Sequence, residues 1–279
     1  DVAEDKTLSY SGAALSLGAN TLTMSGEGTL SNTNALDLNN ASSKLLLSSS
    51  ITVGSVSTSA DNSGLDVDDD STLSSLTVGH TTPVSIASGK TLSGAITVTA
   101  GSIKLGETGT LGSTVSMSGG TLDADETLTV SGALTQSGDI TIDVVTGKTL
   151  TYSGVSLSLG AYTLTLSGGG TLNNTNALAL DNADSLLTLA GILTIGDVDG
   201  TVASNSGKGI KVTSSATLGD YDLSAVNYLD IAEDQTLAGQ LNLQSNGELN
   251  TSGSGSYIGD IALAGGNFSA VDDQVLIGT

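Results

Sequence analysis

The sequence predicts an all-β protein, a parallel β-helix (β-solenoid) of right-handed coils, about 14 of them at roughly 20 residues each. Three observations predict it. Residues Lys6 to Val56 reappear without a gap at Lys148 to Val198, with 33 of 51 positions identical. Apolar residues alternate with polar ones in short runs, which places each apolar pair on one face of a strand. A turn followed by Thr-Leu returns at near-constant spacing, and short-period self-similarity marks stacked coils.

The alternation runs the length of the chain. Leu15/Leu17, Leu22/Met24, Leu36/Leu38, Leu45/Leu47, Ile51/Val53 and Leu65/Val67 open the series, and Leu229/Ile231, Leu241/Leu243 and Ile261/Leu263 end it. No window sustains an i, i+3, i+4, i+7 pattern, so helix is not expected. The Thr-Leu marker stands at Thr7, Thr29, Thr72, Thr91, Thr110, Thr127, Thr149, Thr171, Thr217 and Thr236, with successive intervals of 22, 43, 19, 19, 17, 22, 22, 46 and 19. Two turns in each of the two long intervals give a coil of 17 to 23 residues, the size of three short strands and their corners. Gly and Asn between the runs tolerate the positive φ of tight corners.

The second half of each long repeat also aligns. Residues 83–94, beginning Pro83-Val84-Ser85-Ile86, match residues 228–239, beginning Tyr228-Leu229-Asp230-Ile231. The organisation is therefore two long repeats, 1–142 and 143–279, expected to form one continuous solenoid without a linker. With strands ~4.8 Å apart, 14 coils would make a rod of roughly 65 Å. Asp1-Val2 aligns with Asp143-Val144, so the sequence opens inside a repeat. Raw strand edges at both ends lead to the expectation of flanking coils of a longer chain, or of a second copy stacked end to end as a homo-polymer.

Composition narrows the partners. There are 37 Gly, one Pro, one Phe, two Met, no Cys and no Trp, and the seven basic residues are all Lys. Against 29 Asp and Glu the formal charge is −22. Such a surface repels phosphate backbones and anionic leaflets, so neither nucleic acid nor membrane insertion is expected. High charge with few aromatics can mark disorder, but the patterned Leu, Ile and Val argue against it. Without Cys there is no disulfide, zinc-thiolate site or thiol nucleophile.

The rungs Gly147-Lys-Thr-Leu-Thr-Tyr-Ser-Gly154, Thr163-Leu-Thr-Leu-Ser-Gly168 and Gly168-Gly-Gly-Thr-Leu-Asn-Asn-Thr-Asn-Ala-Leu-Ala-Leu180 carry a resemblance. Over its whole length the chain resembles β-solenoid stretches of bacterial surface proteins, namely autotransporter passengers and haemagglutinin-like adhesins. The resemblance implies a secreted, non-enzymatic stalk, fibre or adhesive module at the bacterial cell surface, with surface glycans as one class of partner. The alternative is a binding module for carbohydrate, calcium or ice.

Each candidate site has a plainer reading beside it. Asp66, Asp68, Asp69 and Asp70 form the densest acidic run, and hard oxygen ligands so clustered suit Ca²⁺. The plain reading is a hydrated acidic loop. Asp197-Val198-Asp199-Gly200 is a second calcium candidate; no other cofactor is expected. His80, the one histidine, would have to be the base of any Ser-His-Asp site, but its Gly79-His80-Thr81 setting reads as a solvated loop. The β-helix hydrolases need paired carboxylates, which an acidic solenoid supplies by accident. The Thr-x-Thr pairs Thr21/Thr23, Thr97/Thr99, Thr127/Thr129, Thr149/Thr151 and Thr163/Thr165 present hydroxyls outward but lie too unevenly to stack as an ice-ordering array. Tyr10 and Tyr152 hold equivalent positions and read as corner caps, not sugar platforms.

Overall fold

A computed structural model describes residues 1–191, 193–270 and 275–277. The described residues contain no helix, and every registered strand pair is parallel. The chain is the expected parallel β-solenoid. It divides into two compact units, Asp1–Thr135 and Gln136–Thr279, a boundary seven residues before that of the sequence repeats at 142/143.

One coil of the first unit shows the construction. Thr29–Asn32, Leu36–Leu38 and Lys44–Leu47 are its three strands, each paired with the equivalent strand one coil on. The third strands of this unit are Thr21–Met24, Lys44–Leu47, Gly64–Val67, Thr82–Ile86, Ser102–Leu105 and Thr121–Ala124, which makes six coils. In the second unit the corresponding strands are Ile140–Val144, Thr163–Gly168, Leu186–Leu189, Gly209–Val212, Val226–Ile231, Glu248–Ser252 and Asn267–Ala270, which makes seven. Six and seven give thirteen such strands among the described residues, in line with the expected 14 or so coils. Val275–Ile277 pairs with Ser256–Ile258 as the first strand of a further coil.

Register explains why the coils stack. Leu45 pairs with Leu65, Leu65 with Val84, Val84 with Leu105 and Leu105 with Ala124. In the second unit Ile140, Leu164, Leu187, Ile210 and Leu229 form the same kind of column. All of these side chains are buried, and removing each large one from water contributes about 1.5–3 kcal/mol. Leu8 and Leu15 differ, at 53% and 40% exposed, although their repeat counterparts Leu150 and Leu157 are buried. The strands holding Leu8 and Leu15 have a registered partner on one side alone.

The long Thr intervals are each two turns, as expected. Thr29 pairs with Thr52 and Thr52 with Thr72, while Thr171 pairs with Thr194 and Thr194 with Thr217. Thr52 and Thr194 precede Val and Ile instead of Leu, which hid them from the marker. Elsewhere the marker misplaces register by two residues. Thr72 faces Ser93 instead of Thr91, Thr110 faces Thr129 instead of Thr127, and Thr217 faces Ala238 instead of Thr236. A slip of two keeps every side chain on its own face, so the core tolerates it.

Corners are held by side chains that reach across coils. In Asn32-Thr33-Asn34, the Asn32 amide donates to the Ser55 carbonyl at 2.8 Å and the Asn34 amide donates to the Gly12 carbonyl at 2.8 Å. Asn174 and Asn176 repeat this toward Asp197 and Gly154 at 3.0 and 2.7 Å. The repeated Asn-Thr-Asn is thus a clamp that joins a coil to both of its neighbours. Tyr152 is a corner cap: it is buried and its hydroxyl donates to the Val155 carbonyl at 2.6 Å. Tyr152→Phe strands that carbonyl and is expected to lower stability by about 1 kcal/mol, read from the urea midpoint.

Candidate binding surfaces

The expected calcium cluster is not assembled. Asp66 lies on the outward side of Gly64–Val67 and forms an ion pair with Lys44 of the preceding coil. Asp69 accepts from the Lys90 ammonium at 2.5 Å and from the Asp70 backbone N–H at 2.9 Å. Asp70 accepts from the Thr91 backbone N–H at 2.7 Å, and Asp68 is exposed in the turn. The Lys90 hydrogen bond, helped by the Asp70 N–H, holds the Asp69 carboxyl below its usual range, and the same bond raises the Lys90 ammonium. Three of the four carboxylates are therefore engaged in joining coils. Lys44 and Lys90 lie 22 and 21 residues from their partners, one coil away in each case. That offset was the signal available in the sequence.

The second acidic candidate gains members. Val198 pairs with Tyr221 and Asp199 with Asp222, so Asp197 and Asp199 lie beside Asp220 and Asp222 on one outward face of two successive coils. Asp197 accepts from the Asp220 backbone N–H at 2.9 Å, and Asp222 accepts from the Asn242 amide at 2.7 Å. Asp199 is held above the usual carboxylate range, chiefly by burial and then by repulsion from Asp222 and Asp197. Among the described residues, no group of three or more His, Asp or Glu side chains is placed to hold a metal ion.

A raised carboxyl pKa has a defined consequence. The folded state binds the Asp199 proton more tightly than the unfolded state, so the ionised group opposes folding at neutral pH and the penalty fades as pH falls through its raised pKa. Asp199→Asn is expected to raise the unfolding midpoint at pH 7, by less than about 1 kcal/mol because the group is partly solvated. The gain should shrink on acidification. A variant that gains nothing at pH 7 would show that the repulsion is screened.

His80 sits in the expected turn. Its Nδ1 is 3.6 Å from Asp61 Oδ1, and that same oxygen accepts the Thr81 backbone N–H at 2.8 Å. The contact orients a corner. The Thr-x-Thr pairs all face outward, but the second unit does not stack pair on pair. Thr149 and Thr151, for instance, face Thr171 and Asn173.

Single threonines do align in columns. Thr149, Thr171, Thr194 and Thr217 stand one per coil in direct register on the second unit. They line a trough of about 460 Å³, with Gly147, Lys148, Gly169, Gly170 and Ser215 along its lip. The first unit has the equivalent column Thr7, Thr29, Thr52 and Thr72. Its lip differs: Asp5 occupies the place of Gly147, Glu27 that of Gly169, and Asp70 stands two residues before Thr72 as Ser215 stands before Thr217. The Thr-Leu marker touched this trough without revealing it, because the spacing alone shows neither its shape nor a lip free of carboxylates.

Comparison with protein-family models, with curated proteins and with solved structures finds no match to this chain.

Proposed function

We propose that the chain is a non-catalytic structural or adhesive β-solenoid segment of an extracellular bacterial fibre or surface protein. The observation that carries this reading is the like-on-like register of the core. Apolar columns run through the six coils of one unit and the seven of the other, with the Asn clamps and Lys–Asp pairs joining adjacent coils. Such a scaffold spreads load over many parallel backbone bonds and needs no disulfide. Its Ser, Thr, Asn and Asp exterior, with a charge of −22, opposes lateral clumping. Partners of this segment are further coils, from the same chain or from a second copy.

Electron microscopy at rising concentration, paired with proteinase K digestion, tests the proposal. Stiff, protease-resistant particles are expected, joining into filaments with an axial repeat near one particle length. Discrete resistant rods at every concentration would remove self-assembly and leave a stalk. Globular, rapidly digested particles would overturn the reading. The trough favours an adhesive role over a purely mechanical one.

A further inference from the structure

We propose that the trough on the second unit is a binding groove for an extended, uncharged polysaccharide chain lying along the threonine column. The inference rests on the adhesive form of the reading above and names the ligand class and its site.

The first support is chemical. Thr171, Thr194 and Thr217 make no side-chain hydrogen bond within the described residues, whereas Thr99, Thr114 and Thr213 donate theirs to carbonyls of neighbouring coils. Each of the Thr171, Thr194 and Thr217 hydroxyls can both donate and accept, so this part of the column offers paired polar contacts at a fixed repeat. Four coils at ~4.8 Å span about 14 Å, enough for a short run of sugar rings. An extended peptide would instead seek an open strand edge, and this column lies on the face of a sheet whose backbone is already paired.

The second support is the internal comparison. The two units share fold, register and threonine column, yet the second replaces the lip carboxylates Asp5, Glu27 and Asp70 with Gly147, Gly169 and Ser215. Those replacements remove both bulk and charge from one side of the column. Lys148, the counterpart of Lys6, is the one charged side chain lining the trough. A polyuronate would approach a chain of net charge −22 against repulsion, so the groove selects a neutral polymer. No aromatic platform lines it, and the affinity of a single site is therefore modest.

The test uses the whole chain and titrates it by NMR and calorimetry with cellohexaose, mannohexaose and maltohexaose, and with a hexamer of galacturonate. Saturable 1:1 binding of at least one neutral hexasaccharide is expected, with the uronate at least about tenfold weaker, a difference of about 1.4 kcal/mol. The double variant Gly147→Asp and Gly169→Glu gives the groove the lip of the first unit and is expected to weaken binding at least tenfold. Gly147 has φ 76° and an added Cβ there meets nothing within 4 Å. The aspartate therefore costs about 1–2 kcal/mol of local backbone strain, in a conformation that Asp5 already holds at φ 57°. At Gly169 the added carbon would meet the Thr146 hydroxyl at 2.4 Å and its Cβ at 3.3 Å, so Thr146 must change rotamer and give by a few tenths of an ångström. Thr171→Val with Thr194→Val keeps the β-branched shape, removes two hydroxyls and should weaken binding similarly, with circular dichroism confirming the fold.

Binding that is unchanged in both variants would place the glycan elsewhere and overturn the proposal. So would equal affinity for the uronate, or no neutral hexasaccharide binding tighter than about 10 mM. Resistant rods or filaments that bind no sugar would sink the groove and leave the structural reading standing.

Discussion

Replacing Gly94 by alanine is expected to cost at least about 3 kcal/mol and to melt the coils around it first. Gly94 lies in the strand Thr91–Val98 where the chain bends from one face of the solenoid to the next. Its register against Ser71–Val78 shifts at that point, between Gly94 and Ile96. The residue has φ 124°, a conformation that side chains other than glycine rarely adopt. An alanine Cβ would also sit 1.8 Å from the Leu73 carbonyl oxygen and 2.9 Å from its carbon, and both are backbone atoms of the adjacent coil. The first effect alone costs about 1–3 kcal/mol as backbone strain. The second forces two coils apart and breaks ladder hydrogen bonds of about 1 kcal/mol each.

Solenoid coils interact chiefly with their neighbours, so the damage should be local. Hydrogen exchange is expected to accelerate across 71–78 and 91–117 while the coils of the second unit keep their protection. Gly89→Ala is the control: φ is 73° there, but nothing lies within 4 Å of the added carbon. It should cost about 1–2 kcal/mol of backbone strain and leave neighbouring coils protected. Equal melting of the Gly94 and Gly89 variants would mean that coil contact is not what fixes Gly94.

Much of this was legible before the structure. Period-two alternation fixed which side chains face inward, because strand geometry leaves no other assignment. Coil length followed from the Thr-Leu intervals, and Thr52 and Thr194 fill the two gaps where the marker fell silent. Side-chain partnerships across coils were harder to see. Lys44 and Asp66, or Asp199 and Asp222, are more than 20 residues apart in sequence and adjacent in space. Finding them requires laying successive coils over one another, and coil length varies enough to misplace register by two residues. The Asp66–Asp70 run looked like a cation site because proximity along the chain was read as proximity in space. In a solenoid the nearest neighbours of a carboxylate are one coil away, and here they are lysines and backbone N–H groups.

Replacing Tyr221 by phenylalanine is expected to work in the opposite direction and stabilise the protein by about 1–3 kcal/mol. Tyr221 lies in the strand Ala216–Leu223, between Val198 of the coil before and Leu241 of the coil after, and is 2% exposed. Its hydroxyl has no hydrogen-bond partner among the described residues. Other buried tyrosines of this unit are satisfied: Tyr152 donates to Val155, and Tyr257 donates to the Gly239 carbonyl at 2.8 Å. A buried hydroxyl left unpaired carries its full desolvation penalty, and phenylalanine keeps the ring packing while removing that penalty.

Alkali supplies a second readout. Burial drives the Tyr221 phenol far above its ordinary pKa, and burial, with repulsion from Asp260 and Asp220, pushes Tyr257 up to about 12. Below pH ~10 both phenols are neutral in the folded and the unfolded chain, so neither makes stability depend on pH. Above it the unfolded chain loses these protons first, and each such group lowers stability by about 1.4 kcal/mol per pH unit until its folded pKa is reached. Tyr221→Phe should therefore raise the thermal midpoint at pH 7 and also flatten the alkaline loss of stability by one proton. Tyr257→Phe should flatten the loss only up to about pH 12, and should lower the midpoint at pH 7 because it strands the Gly239 carbonyl. A fall in midpoint for Tyr221→Phe would show that its hydroxyl is bonded after all, and that the core of this coil is polar where its sequence and packing make it apolar.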